Sequence, residues 1–201
     1  MDPEVRRIVA QAVGIFERDL GCVVKEANPG WEDPFAAFFA IRFAESDLKG
    51  MRDLARKYRI STHLADALAI PWTAEDFTTA KTMRKAIVRK MALFMSRYDL
   101  LLTPTLAAPP FALHMQGPEK IEGRYVHRAE FLCFTFPINL TGQPTASIPA
   151  GFTADGLPVA LQIVGRHLDD PTVLRASAAF EAAAPWRDKS PPLVADATRS
   201  E

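Results

Sequence analysis

The sequence predicts an α/β protein of unbalanced order, with helices through the first half and a small group of strands late in the chain. Three observations predict it. Apolar residues recur at helical spacing, between capping residues, from Pro3 to about Arg97. Tyr98-Asp99-Leu100-Leu101-Leu102-Thr103-Pro104 is then a mainly apolar run closed by proline, as expected of a strand buried on both faces. Finally, Thr145–Phe152 and Leu157–Val164 are two β-type runs around Ala154-Asp155-Gly156, the Asp-Gly signal of a tight antiparallel hairpin.

Taken in order, the first element is a helix capped by Asp2, with Pro3 in its first turn and Gly21 at its end. Val5, Ile8, Val9, Ala12, Val13, Phe16 and Leu20 form its apolar stripe. Cys22–Glu26 reads as a short strand. Asp33-Pro34 starts a second helix with an aromatic face of Phe35, Phe38, Phe39 and Phe43, and Leu48, Met51, Leu54 and Tyr58 continue or restart it. Ser61 caps a short piece up to Ala69. Thr73 with Asp76 resembles a capping box and opens a long helix to about Arg97, with Phe77, Ala80, Ile87, Val88, Met91, Phe94 and Met95 facing inward. Residues 105–126 hold several Pro and Gly without a period and read as a long loop, the kind that often forms a lid or binding loop. A helical segment from about His127 to Phe136 precedes the hairpin, and Asp170-Pro171 caps a closing helix to about Ala184. The organisation is therefore a helix-rich segment over 1–97, a sheet with helices over 98–186, and a loose tail over 187–201. The strands at residues 100–103 and 158–164 read as central, yet the chain supplies few neighbours for them. The expected sheet is incomplete, and its opening in mid-fold predicts exposed strand edges.

Composition narrows the function classes. The chain has 201 residues, 48% of them apolar, and 24 basic against 24 acidic side chains, so it lacks the basic footprint of a nucleic-acid binder. Basic pairs such as Arg84-Lys85 and Arg89-Lys90 recur at helical spacing and read as a solvated face. No apolar run is long enough to span a bilayer, and the opening MDPEVRRIV lacks the pattern of a signal peptide. Two cysteines, Cys22 and Cys133, are too few for a disulfide framework. The expected location is the cytoplasm.

The search for chemistry returns a negative result. The histidines at 63, 114, 127 and 167 have no metal-ligand spacing, so neither a metal nor another cofactor is expected. His127 lies six residues before Cys133, which invites a thiol nucleophile, but Phe131-Leu132-Cys133-Phe134 reads as the setting of an inert buried thiol. Asp169 and Asp170 precede a helix and read as caps. The seven serines include no Gly-x-Ser-x-Gly elbow, and Ser147 falls inside a strand, where it reads as a small packing residue. The ten glycines are never adjacent, so no Gly-rich cradle for an oxyanion is visible. No catalytic residue is assigned.

Several segments nevertheless resemble the C-terminal portion of the amidase signature family. They are Asn139-Leu140-Thr141-Gly142-Gln143-Pro144, Ser147-Ile148-Pro149-Ala150-Gly151, Gly156-Leu157-Pro158-Val159 and Leu161-Gln162-Ile163-Val164-Gly165, with Tyr98–Thr105 upstream. DPEVRRIVAQAV, followed by Leu20-Gly21 and Val24, resembles the family's helix–strand unit ahead of its helical insertion. The resemblance implies a mixed α/β/α sandwich and a hydrolase or amidotransferase subunit that cleaves an amide carbon–nitrogen bond. It also implies a Ser nucleophile, a second Ser in a cis peptide and a Lys base, with a Gly-Ser-rich loop donating backbone N–H groups to the oxyanion. No residue of this sequence matches that loop, either serine or the lysine. Ala160 stands where the family usually has Gly. Leu132-Cys133 stands where the tRNA-amidotransferase branch tends to place an acidic residue for glutamine, which argues against a glutaminase subunit.

The expectation is a chain inactive alone, whether a truncated gene product or one half of a split enzyme. Its substrate would be a small-molecule amide once an N-terminal segment completes it, and its partner either a second copy or a separate N-terminal chain. Thr103, Thr105 and Asn139 are the candidate substrate-binding residues, at strand ends where such clefts are built. Two other readings remain: a non-catalytic binding or partner subunit that keeps the pocket wall, and an independent thiol enzyme using Cys133.

Overall fold

The computed structural model describes residues 1–58, 60, 62–186 and 189, and for residues 62 and 63 the backbone alone. Helix α1 (Pro3–Arg18) begins as the sequence dictates, with Asp2 Oδ1 accepting from the N–H groups of Glu4 and Val5 at 2.9 and 3.2 Å. Helices α2 (Phe35–Ala44), α3 (Leu48–Lys57), α4 (Thr62–Ala69) and α5 (Ala74–Met95) follow. Asp33 Oδ1 accepts from Phe35 N at 3.0 Å, and Thr73 and Asp76 close a reciprocal capping box at the start of α5. The Ser61 cap falls outside the described residues, as does the tail apart from Lys189.

Strand β1 (Leu100–Pro104) leads through the loop to a small hairpin, β2 (Lys120–Ile121) with β3 (Arg124–Tyr125), that the absence of period concealed. In place of the helix expected over 127–136 stand a single 3₁₀ turn at Glu130–Leu132 and then helix α6 (Phe136–Thr141), with Pro137 in its first turn. β4 (Thr145–Phe152) and β5 (Pro158–Gly165) form the expected hairpin around Gly156, whose φ of +79° suits glycine. Helix α7 (Asp170–Ala183) is capped by Asp169, one residue earlier than expected, which accepts from Thr172 N at 3.3 Å.

The main sheet has the order β1-β5-β4 and is antiparallel throughout. β5 is the central strand, whereas β1, expected to be central, is an edge. Leu100–Thr103 accordingly remain half-buried, because a buried strand needs neighbours on both sides and no described strand pairs with β1's outer edge. The predicted strand Cys22–Glu26 is irregular backbone. Val24 packs on the core and Val23 is 88% exposed, so the alternation of a strand is present, but no described strand offers it a ladder.

Alternation along β5 builds three layers. Val159, Leu161 and Ile163 meet Val5, Ile8, Ala12 and Phe16 of α1 and Val173 and Phe180 of α7 on one face. On the other, Val164 meets Met91, Phe94 and Met95 of α5 and Ile138 of α6. The aromatic face of α2 divides its work. Phe35, Phe38 and Phe39 surround Phe136 at centroid distances of 5.7, 4.5 and 5.8 Å, while Phe43 sits 5.9 Å from Trp72. Val88, expected to face inward on α5, is exposed.

Leu161 is wholly buried between β5 and the α1–α7 layer. Leu161→Ala is expected to lower unfolding free energy by ~2–5 kcal/mol in a denaturant titration, against no more than ~0.5 kcal/mol for Val23→Ala. Gly165→Ala should also destabilise, because its added methyl would stand 2.5 Å from Val173 Cγ2.

Candidate functional site

The register of the sheet assembles the candidate site. Thr103 of β1 lies directly opposite Gln162 of β5, and Ser147 of β4 lies opposite Gln162 on its other side. Residues directly opposite in an antiparallel pair share a face. All three therefore stand on the face of Val164 and Leu101, opposite the α1–α7 layer. α5 and α6 cover one part of that face and leave Ser147 exposed and Thr103 half-buried.

Gln162 is the buried member, only 4% exposed. Its Nε2 donates to Thr103 Oγ1 at 2.9 Å and to the carbonyl of Phe134, just ahead of α6, at 3.2 Å. Thr105 continues beyond β1, its N–H donating to the carbonyl of Ala160 at 3.1 Å. Its hydroxyl reaches across β5 to the Ser147 hydroxyl at 2.8 Å. The β5 residue bonded to Thr105, Ala160, lies directly opposite Pro149 and carries only a methyl group.

The structure thus brings Thr103 and Thr105 into one polar row, with Gln162 and Ser147 as members that sequence reasoning did not select. The signal for Gln162 was a lone amide inside an otherwise apolar strand, where burial requires partners. Asn139 stands apart from the row. It is not in a loop but on the exposed side of α6, between the buried Ile138 and Leu140, and its side chain is hydrogen-bonded to no described residue. α6 ends at Gly142, whose φ of +70° turns the chain toward β4.

None of the described side chains forms a nucleophile–base pair in this row. Ser147 Oγ has Thr105 Oγ1 as its one hydrogen-bond partner among the described residues, and a hydroxyl is not a base for another hydroxyl. His127 is engaged elsewhere: its Nδ1 accepts from Ala129 N at 3.1 Å, and its ring meets Phe35 edge-on at 5.0 Å. Cys133 packs with Ala107, Ala108, Ile121 and Phe134, and burial pushes its thiol pKa up. Both cysteines are free, and no group of metal-ligating side chains gathers among the described residues. No described helix is long and apolar enough to cross a membrane. A cleft of about 620 Å³ lies elsewhere, between the 114–119 loop and Tyr125–Arg128, and the polar row does not line it.

The chain is similar to known proteins along most of its length. An acylamidase of Rhodococcus erythropolis is 38% identical over 202 residues, 95% of this chain and 41% of the relative. A glutamyl-tRNA(Gln) amidotransferase subunit of Lactiplantibacillus plantarum is 32% identical over 212 residues, 91% of this chain and 42% of the relative. The crystal structure of a bacterial aryl acylamidase of the amidase signature family superimposes with a TM-score of 0.77 at 28% identity, covering 92% of this chain and 41% of that one. The chain therefore spans about two-fifths of the length of these relatives. Its three layers match the C-terminal portion of that fold. The Amidase family profile matches residues 1–174, and with these relatives it makes this chain a member of the Amidase family.

Proposed function

We propose that this chain is the C-terminal portion of an amidase-like hydrolase that cleaves amide carbon–nitrogen bonds, and that it supplies a substrate wall rather than the nucleophile. The observation that carries the reading is the polar row itself: Thr103, Thr105 and Ser147 present hydroxyls on an open sheet face, and among the described residues no base is hydrogen-bonded to them. In the Ser–cis-Ser–Lys mechanism that the family resemblance implies, a serine hydroxyl attacks the amide carbonyl. A desolvated neutral lysine takes its proton through the bridging serine. Backbone N–H groups hold the developing oxyanion, the amine leaves with a proton, and water then hydrolyses the acyl-enzyme. Those groups have no match among residues 1–201, so the wall needs a segment bearing a Gly-Ser loop. Thr103 and Thr105 would edge the substrate cleft from the row, and Asn139 from the exposed side of α6. The substrate class is a small-molecule amide, and the chain is inactive alone.

A second reading keeps the wall without the chemistry, as a non-catalytic binding or partner subunit; the relative whose name describes one component of an amidotransferase favours it. A separate N-terminal chain or a second copy would then be the partner. Saturable stabilisation of the isolated chain by an amide, with no turnover even after completion, would select that reading.

Ammonia release from a panel of aliphatic and aromatic amides separates these readings. The chain alone should release none above the blank, and addition of an N-terminal portion bearing the Gly-Ser loop should restore release. Saturable release by the chain alone would overturn the proposal.

The thiol alternative makes a separate prediction. A thiol whose pKa is raised by burial stays protonated, and unreactive, to higher pH than an ordinary one. Iodoacetamide near neutral pH should therefore alkylate the exposed Cys22 before Cys133, as read by peptide mass spectrometry, with Cys133 gaining reactivity only as pH rises. Cys133→Ala should leave the activity of the completed enzyme unchanged.

A further inference from the structure

The hydrogen-bond donors and acceptors of the row determine which way its protons point. A glutamine amide nitrogen only donates and its oxygen only accepts. The Phe134 carbonyl is an acceptor without a proton, so the atom 3.2 Å from it must be Gln162 nitrogen, and the orientation of the amide is set by chemistry. The same nitrogen donates its other proton to Thr103 Oγ1 at 2.9 Å. Thr103 therefore accepts from Gln162 and cannot donate back to it. Its own proton is directed away from Gln162, and no described residue receives it. Beside it, Thr105 and Ser147 share one hydrogen bond between two O–H groups, so one of those two protons is also uncommitted. No lysine or arginine is hydrogen-bonded to the row among the described residues.

We propose that Gln162 is a positioning residue that holds Thr103 as an outward hydrogen-bond donor, so that Thr103 and the Thr105–Ser147 pair together receive an uncharged carbonyl oxygen of the substrate. This rests on the reading of Thr103 and Thr105 as substrate-binding. Two outward donors match the two lone pairs of one carbonyl oxygen. A carboxylate would lack a cation here, and an alkylammonium would lack an anion, because no carboxylate is hydrogen-bonded to the row among the described residues. Ser147 thereby gains a role as a binding hydroxyl, and Gln162 acts through Thr103 without touching the ligand.

The test is NMR of the chain with assigned side-chain amides and methyls. The Gln162 side-chain N–H protons should exchange with water about tenfold or more slowly than those of Gln11 on the exposed face of α1. Thr103→Val should accelerate one of the two Gln162 protons and spare the one held by Phe134. Propionamide should shift the Thr103 methyl and the Gln162 amide; Thr103→Val and Gln162→Leu should remove the response, and Thr103→Ser, which keeps the hydroxyl, should restore it. Propylamine should have no effect, and propionate a smaller one than propionamide. Gln162 exchange as fast as that of Gln11, an absent propionamide response, or an equal response in Thr103→Val would overturn the proposal, as would propylamine or propionate acting as strongly as the amide. Failure of the completed enzyme to release ammonia would sink the hydrolase reading while leaving these exchange rates and shifts unaffected.

Discussion

The main sheet and the helical layers on its two faces hang on β5. Leu161, Ile163 and Val164 have no exposed surface, and β5 is paired along both edges, with β1 and with β4. A strand buried on both faces must satisfy its backbone through its neighbours and its side chains through the layers above and below. The α1–α7 core, the α5–α6 core and the register of both flanking strands are thus set by one eight-residue element. The same strand carries Gln162 into that setting, where an unpartnered amide would be costly. Its two bonds to Thr103 and Phe134 tie the polar row to the strand and to the segment leading into α6. Fold and candidate site therefore share one constraint.

Much of the fold is legible in the sequence because the relevant signals are local. Asp2, the Thr73–Asp76 pair and the Asp-Gly turn each act within a few residues, and each forms as expected. The elements that are not legible depend on neighbours. Leu100–Leu102 has the composition of a central strand, but composition cannot say that one side lacks a described partner. Val23 and Val24 alternate as a strand should and find no ladder. The β2–β3 hairpin has strands of two residues, too short for any period, and turns through Glu122 and Gly123, both at positive φ. The expected helix over 127–136 is replaced by a single 3₁₀ turn at 130–132, just after His127 Nδ1 accepts from Ala129 N, and by a helix that begins at Phe136.

The site is legible in part for the same reason. Thr103 and Thr105 stand two apart at the end of an apolar run, which marks a strand end. Their partners, Ser147 and Gln162, are about 40 and 60 residues away and join them only through register. Asn139 belongs to a resembling segment and is exposed on α6, where no hydrogen bond joins it to the row among the described residues. The expectation that assigns no catalytic residue rests instead on residue types. Among the described residues Ser147 has a hydroxyl for a neighbour, and burial pushes the Cys133 thiol pKa up.

The central claim is that the chain carries a substrate wall without an activated serine. Intact-mass analysis after exposure to a serine-directed fluorophosphonate tests it most directly, since such a reagent reports serine activation independently of substrate choice. The account predicts an unmodified mass for the chain alone, and an adduct on the N-terminal portion once the two are combined. A stoichiometric adduct on any of the seven serines of this chain would contradict it.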